Sequence, residues 1–376
     1  MLIYLGCCAV LAFGAAILLA VKGAPPAAAA HAAFAVGAMP LVFAAMGHFV
    51  PVLTRSGAAK GAVHRLPLAM QLAGLLAAGA LGAWLPGTAL HAAVGMGLLA
   101  TVLFLGWVVT RGRRTLGRPH PGLAWYVAAL GCLMLALLAI GAGLLWPSVY
   151  RVARLAHLHL NTLGFIGLSA IGTLHVLMPT ALGRPDPAAA ARLKRQLPWM
   201  LAGIAATALA GVLPLLGLAG AVLIGGVVMA TMVGWVRTHG LRRLLGDGVA
   251  ASLLAAVVGL LGVCVAGAFH GLGLVPGRPA VAGFFAAFLL PLVTGALSQL
   301  LPVWRHPGPL TPARSRMRDG LAHLGGLRAG LFLVGGGLLL GGVSIGIGLA
   351  ACGVALFAVA LARSLPASSS GHADGP

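Results

Sequence analysis

Acid is what this 376-residue chain lacks most: it has no glutamate and only four aspartates (Asp186, Asp247, Asp319, Asp374), against 24 lysines and arginines. Charge of either sign is scarce too, at 7% of residues against 60% hydrophobic. Helices of a soluble protein this long need polar outer faces, and these are missing. Tyrosine is limited to Tyr4, Tyr126 and Tyr150. The five cysteines (Cys7, Cys8, Cys132, Cys264, Cys352) lie in apolar runs without the spacing of a metal site. Cys7-Cys8 reads either as a redox pair or as two small buried residues. No phosphate-binding signature occurs, and Ser148, Ser169 and Ser298 have no acid–base partner near them in sequence.

What the chain does have is apolar length. Segments long enough to cross a bilayer, about 20 residues each, recur throughout. Abundant Gly and Ala and weak alternation argue against a β-barrel. The expected fold is all-α, a polytopic membrane protein of about twelve transmembrane helices. Their limits fall near 2–22, 29–54, 64–85, 88–111, 122–147, 149–182, 197–216, 217–239, 248–272, 279–304, 322–342 and 343–364. The first lacks a basic leader and a small-residue cleavage site, so it reads as a retained span. Residues 365–376 read as a disordered cytoplasmic tail.

The placement of the +20 charge explains its purpose. Loops after even-numbered spans, with Arg363 in the tail, hold 20 of the 24 basic residues; only Lys22, Arg151, Arg154 and Arg278 fall on the other side. The positive-inside rule then puts both termini in the cytoplasm. The excess is topological and does not point to nucleic acid. The Ala/Gly/Arg-rich usage suggests a bacterial inner (plasma) membrane, with membrane lipid as the main partner.

Spans 2, 6 and 10 share a polar, proline-containing inner exit, at His48 to Pro51, His175 to Pro179 and Ser298 to Pro302. The prolines are 128 and 123 residues apart, which predicts one transmembrane domain over 1–364 built from repeats at about 1–115, 116–245 and 246–364. Twenty residues before them stand His31, His159 and Ala282. That is about 30 Å of helix rise, the thickness of the hydrocarbon core.

Thirteen histidines remain. His64, His120, His239, His306 and His372 sit in or beside loops among arginines, and His48, His175 and His323 near inner helix ends. His31, His91, His157, His159 and His270 fall at outer ends of four different spans and are candidates to converge on a metal, with His175 a further candidate ligand. An ionisable side chain at membrane depth is a functional hypothesis by default, and imidazole is the commonest metal ligand. Hydrogen bonding between helices is the competing use. Residues two apart on a helix point about 200° apart, so His157 and His159 face different neighbours. On ideal geometry His175, five turns below His157, shares its face with Asn161, while Thr162, Ser169 and Thr173 group with His159.

Twelve spans in three four-helix arcs, with His31 on span 2 and His157-Leu158-His159 on a pore-lining span, resemble the heme-copper oxidase subunit I superfamily. The resemblance covers the architecture of residues 1–364 and a motif of three residues. It implies heme b between His31 and one of His157 or His159, with the other holding a second heme or copper. Arg151 and Arg154 would then pair with propionates or anchor the interface. It further implies electron transfer, with a redox partner or a small gas such as nitric oxide or oxygen as ligand.

The chain departs from that family in several ways. The His-x-His lies on span 6, while span 10 carries Ala280 and Ala282; span 7 has neither the His-His pair nor the tyrosine of the copper site. No carboxylate relay crosses the membrane, which argues against a proton-pumping oxidase. The departures leave a divergent member, comparable to the NnrS-type heme and copper membrane proteins. A histidine-lined metal or small-solute transporter, or a cofactor-free assembly subunit, are the alternatives.

Overall fold

A computed structural model describes residues 1–364; the tail expected at 365–376 lies outside the described residues. Every described segment of regular structure is helical. The long helices, with their π and 3-10 turns included, are α1 (Leu2–Val21), α2 (Pro26–Leu53), α3 (Ala62–Leu81), α4 (Ala89–Arg113), α5 (Gly122–Leu145) and α6 (Pro147–Ala181). They continue as α7 (Ala189–Ala208), α8 (Leu215–His239), α9 (Gly248–Gly271), α10 (Pro279–Arg305), α11 (Pro312–Leu340) and α12 (Gly346–Ser364).

Ten of these are long and apolar enough to cross a membrane. The others are α3 and α7, which open on His64 and Arg65 and on Arg192, Lys194 and Arg195. In α7 the helix begins at Ala189, ahead of its charges, and ends at Ala208, whereas hydropathy predicts 197–216. The charged residues are themselves helical, and Pro214 then caps the start of α8. At the last connection, α11 and α12 part at Gly341-Gly342 as expected, with Gly342 at φ 79°, a value open to glycine at little cost.

Helices adjacent in sequence pack side by side, and α1 closes against α10 and α12. Burial sorts them. The most apolar windows of α2, α6, α9 and α10 are 61–72% buried, against 33–44% for α1, α4, α5, α8, α11 and α12. The outer helices present leucines such as Leu11, Leu99 and Leu135 outward, as lipid contact requires.

The three inner helices that carry the repeated exits share a backbone irregularity. Each opens into π turns: Ala32–Ala38 in α2, Leu160–Gly167 in α6 and Phe284–Leu289 in α10. Their starts are 128 and 124 residues apart. His31 immediately precedes the first, His159 the second and Gly283 the third. The fourth residue of the first and third, Ala35 and Ala287, is covered by a glycine of the helix packed on it. A Cβ on Gly74 of α3 or on Gly336 of α11 would collide with their backbones.

At the end where the arginines gather, Arg318 ties four helices together. Its guanidinium donates to Gln299 Oε1 of α10 (2.9 Å), to the carbonyl of Ala181 that ends α6 (2.9 Å) and to Asp247 Oδ2 (2.8 Å). Asp247 Oδ1 in turn caps α9, accepting from the amides of Val249 and Ala250 at 2.9 Å each. Arg318→Met removes three charge-assisted bonds and strands a capping carboxylate. It is expected to cost about 2–3 kcal/mol, read as a lowered unfolding midpoint of the detergent-purified protein.

Candidate functional site

Hydroxyls inside the bundle have no polar demand left over. Thr101, Ser169, Thr173, Thr294 and Ser298 each donate to the carbonyl four residues back in their own helix, the usual solution where water is absent. The imidazoles are different.

Pro25 and Pro26 start α2, and an alanine run carries the helix to His31. There Nδ1–H donates to the carbonyl of Ala27 at 2.8 Å. On α6, His157 Nδ1–H donates across to the carbonyl of Ala136 on α5 at 3.0 Å, and Asn161 braces the turn by donating to the His157 carbonyl at 2.8 Å. The two imidazoles then face one another, with ring centres 6.2 Å apart and planes within 11° of parallel. Each carries its proton on Nδ1, so each Nε2 presents a lone pair, and neither makes a hydrogen bond among the described residues.

His159 faces away from this pair, toward the backbone of Thr207 on α7 and toward His270. Its Nδ1 is buried without a hydrogen-bond partner. His270 is exposed at the end of α9, with Nδ1 bound to the carbonyl of Val275 at 2.9 Å. His91, Arg151 and Arg154 are exposed, and neither arginine forms an ion pair among the described residues. Four of the five outer histidines therefore fall in twos, His31 with His157 and His159 toward His270, and His91 pairs with none of them among the described residues. No three His, Cys, Asp or Glu side chains converge among the described residues.

His175 and Thr173 exchange the faces expected of them. His175 is buried beside Trp235 of α8, with ring centres 6.1 Å apart, while Thr173 bonds Tyr126 of α5 at 2.7 Å. The π turns over Leu160–Gly167 are the cause. One extra residue in the helix turns everything after it by about 100° relative to an ideal α-helix. His175 is thereby moved off the face of His157, and Thr173 is brought toward it.

Around His175 lie polar residues that the sequence reading passed over: Arg192, Gln196, Trp235 and His239, each buried with a ring or side-chain nitrogen lacking a partner. The spacing of Arg192 with Gln196, and of Thr231, Trp235 and His239, at four-residue intervals would have marked them as two facing stripes.

No protein-family model matches the chain, and no curated protein matches it either.

Proposed function

We propose that this chain is an integral membrane b-type heme protein of cytochrome oxidase subunit I-like type, with His31 and His157 as the two axial ligands. One observation carries the reading: the parallel imidazoles of α2 and α6, 6.2 Å apart, each with Nδ1–H tied to a backbone carbonyl. Two imidazoles on opposite sides of one metal have ring centres about 6 Å apart. Each nitrogen–metal bond is about 2.0–2.1 Å, and the nitrogen stands about 1 Å from its ring centre. A carbonyl on Nδ1–H is the usual orienting partner of a ligating histidine. The donor set favours heme over a bare ion, because only two protein ligands meet here and a porphyrin supplies the remaining four. Small residues around His31, from Ala27 to Ala33, fit a bulky planar group.

When bound, such a group supplies reversible one-electron transfer. The protein's part is to hold both imidazoles neutral and oriented. Arg151 and Arg154, exposed one to two turns before His157, would pair with the propionates of such a group. His159 and His270 form the second position, for another heme or copper and a small gas ligand such as nitric oxide or oxygen.

The architecture we propose has twelve spans in three four-helix arcs, both termini cytoplasmic, in a bacterial inner membrane. The π turns recurring at 128 and 124 residues support the triplication. The helices α3 and α7 would complete the count, with their charged first turns at the cytoplasmic interface. A fluorescent-protein fusion at the C-terminus is expected to be bright and an alkaline phosphatase fusion inactive; the reverse pattern would refute the topology.

The test of function is a reduced-minus-oxidised visible spectrum of protein expressed with heme supply, with a pyridine hemochrome assay and metal analysis. A b-type signal near one heme per chain is expected. Folded protein without heme would sink the reading, and copper without heme would replace it with a copper site between the same imidazoles.

A further inference from the structure

A second polar centre lies at the other end of α6, far from the paired imidazoles. His175 of α6, Arg192 and Gln196 of α7, and Thr231, Trp235 and His239 of α8 are all buried, at 0–7% relative exposure. Trp235 joins them. Its indole is 6.1 Å from the His175 ring. One turn earlier, Thr231 bonds Gln196 Oε1 at 3.3 Å. At the adjacent Gly234 a Cβ would stand 3.3 Å from Cδ and Nε of Arg192, so the missing side chain lets the guanidinium stem lie against α8.

The unused atoms in this cluster are mostly donors. Arg192 spends its Nη2 on Asp186, but Arg192 Nε, Gln196 Nε2 and Trp235 Nε1 are buried with no acceptor among the described residues, and the ring nitrogens His175 Nε2 and His239 Nε2 are buried without a partner. Buried donors without acceptors are costly, so the cluster calls for an occupant rich in acceptors. The surrounding charge agrees. Asp186 is balanced by Arg192, and Arg184 and Arg243 also lie around His239. His120, from the loop before α5, completes the groups near His175.

We propose that this cluster is a binding site for a small inorganic oxyanion, held by the N–H groups of Arg192, Gln196 and Trp235, whose binding takes up a proton on His175. The proton follows from hydrogen-bond accounting. His175 Nδ1–H is committed to the carbonyl of Ile171 at 2.9 Å, so the neutral ring turns a lone pair toward the occupant. An anion is repelled by that lone pair and attracted once Nε2 carries a hydrogen. Anion and proton therefore bind together, each raising the affinity for the other. Asp186 and Arg192 oppose one another in their effect on this proton, and His120 adds to the competition for it. This imidazole is a means of coupling a proton to an anion.

Nitrate, planar with three acceptor oxygens, is the probe. Calorimetric titration of the full chain in lipid nanodiscs at about pH 5.5 and about pH 7.5 spans the imidazole range. Saturable binding is expected, tighter at the lower pH by up to about tenfold per unit where one proton accompanies each anion. Trp235→Phe, which removes one donor and keeps the ring, is expected to weaken it about tenfold. Gln196→Met carries the same expectation should Trp235→Phe fail to fold. His175→Gln retains a donor without a titration, so binding should persist and lose its pH dependence. Absence of saturable nitrate binding by folded wild-type protein at both pH values would overturn the proposal, leaving water as the occupant. So would binding that neither pH nor the donor variants alter. None of these readouts involves heme, so the result stands apart from that of the outer site.

Discussion

His31→Ala and His157→Ala each abolish the low-spin b-type spectrum, whereas His159→Ala leaves it in place. The expectation follows from geometry, since only the first two imidazoles face one another across 6.2 Å and His159 points toward α7 and α9. On the proposed ligation, losing either imidazole would leave the heme held by one histidine and remove half of the protein's grip. Even disturbing a partner behind a ligand weakens metal sites about 10–100-fold, so loss of the ligand itself should lower bound heme at least tenfold. The measurement is heme per chain by pyridine hemochrome, with the spectrum of whatever heme remains. If His159→Ala loses the signal and His157→Ala keeps it, the pairing has been assigned to the wrong face of α6. If all three keep it, the ligands lie elsewhere.

The largest effect on folding is expected from Gly259→Val. A Cβ at Gly259 of α9 would overlap the carbonyl oxygen and carbon of Ala287, inside the π turns of α10, and on the other side Gly336 of α11 presses on the same residue. Three backbones meet there with nothing between them. In a bilayer, where lipid is as apolar as leucine, such close approach is a main source of helix association. The neighbour here is backbone and cannot rotate away. Overpacking typically costs about 1–3 kcal/mol, occasionally more, and this site belongs at or above the top of that range. Little monodisperse protein should be recovered, with a sharply lowered unfolding midpoint. Gly106→Val is the control, because a Cβ there meets nothing within 4 Å, and it should behave like wild type. Equal loss in both variants would mean that β-branching, not helix contact, is responsible.

Hydropathy made the helices legible because it measures transfer free energy residue by residue, and lipid leaves the backbone no alternative to internal hydrogen bonding. The breaks were legible for local reasons as well: proline at Pro25 and glycine at Gly342. The limits of α7 were not. Arg192 is buried, not solvated, and is held by Asp186 six residues before it, a pairing that a hydropathy window cannot register. Nor did sequence reveal why Arg328, counted among the loop arginines, is buried. It donates to the carbonyls of Leu321 and His323 and lies over Phe357.

Sequence alone determined that this is an all-helical membrane protein and which end of the bundle holds its arginines. It also determined that His157 and His159 face different neighbours, since two residues always turn a helix by about 200°. Tertiary structure decided which neighbour each one meets, and it decided the fate of His175. A face computed at 100° per residue holds only while the helix stays α. The π turns of α6 insert a residue that composition does not announce, so every side chain below them is re-aimed. Ahead of those turns His31 shares one interior with His157 near one end of the bundle, while beyond them His175 joins Arg192, Gln196 and Trp235 in another near the opposite end.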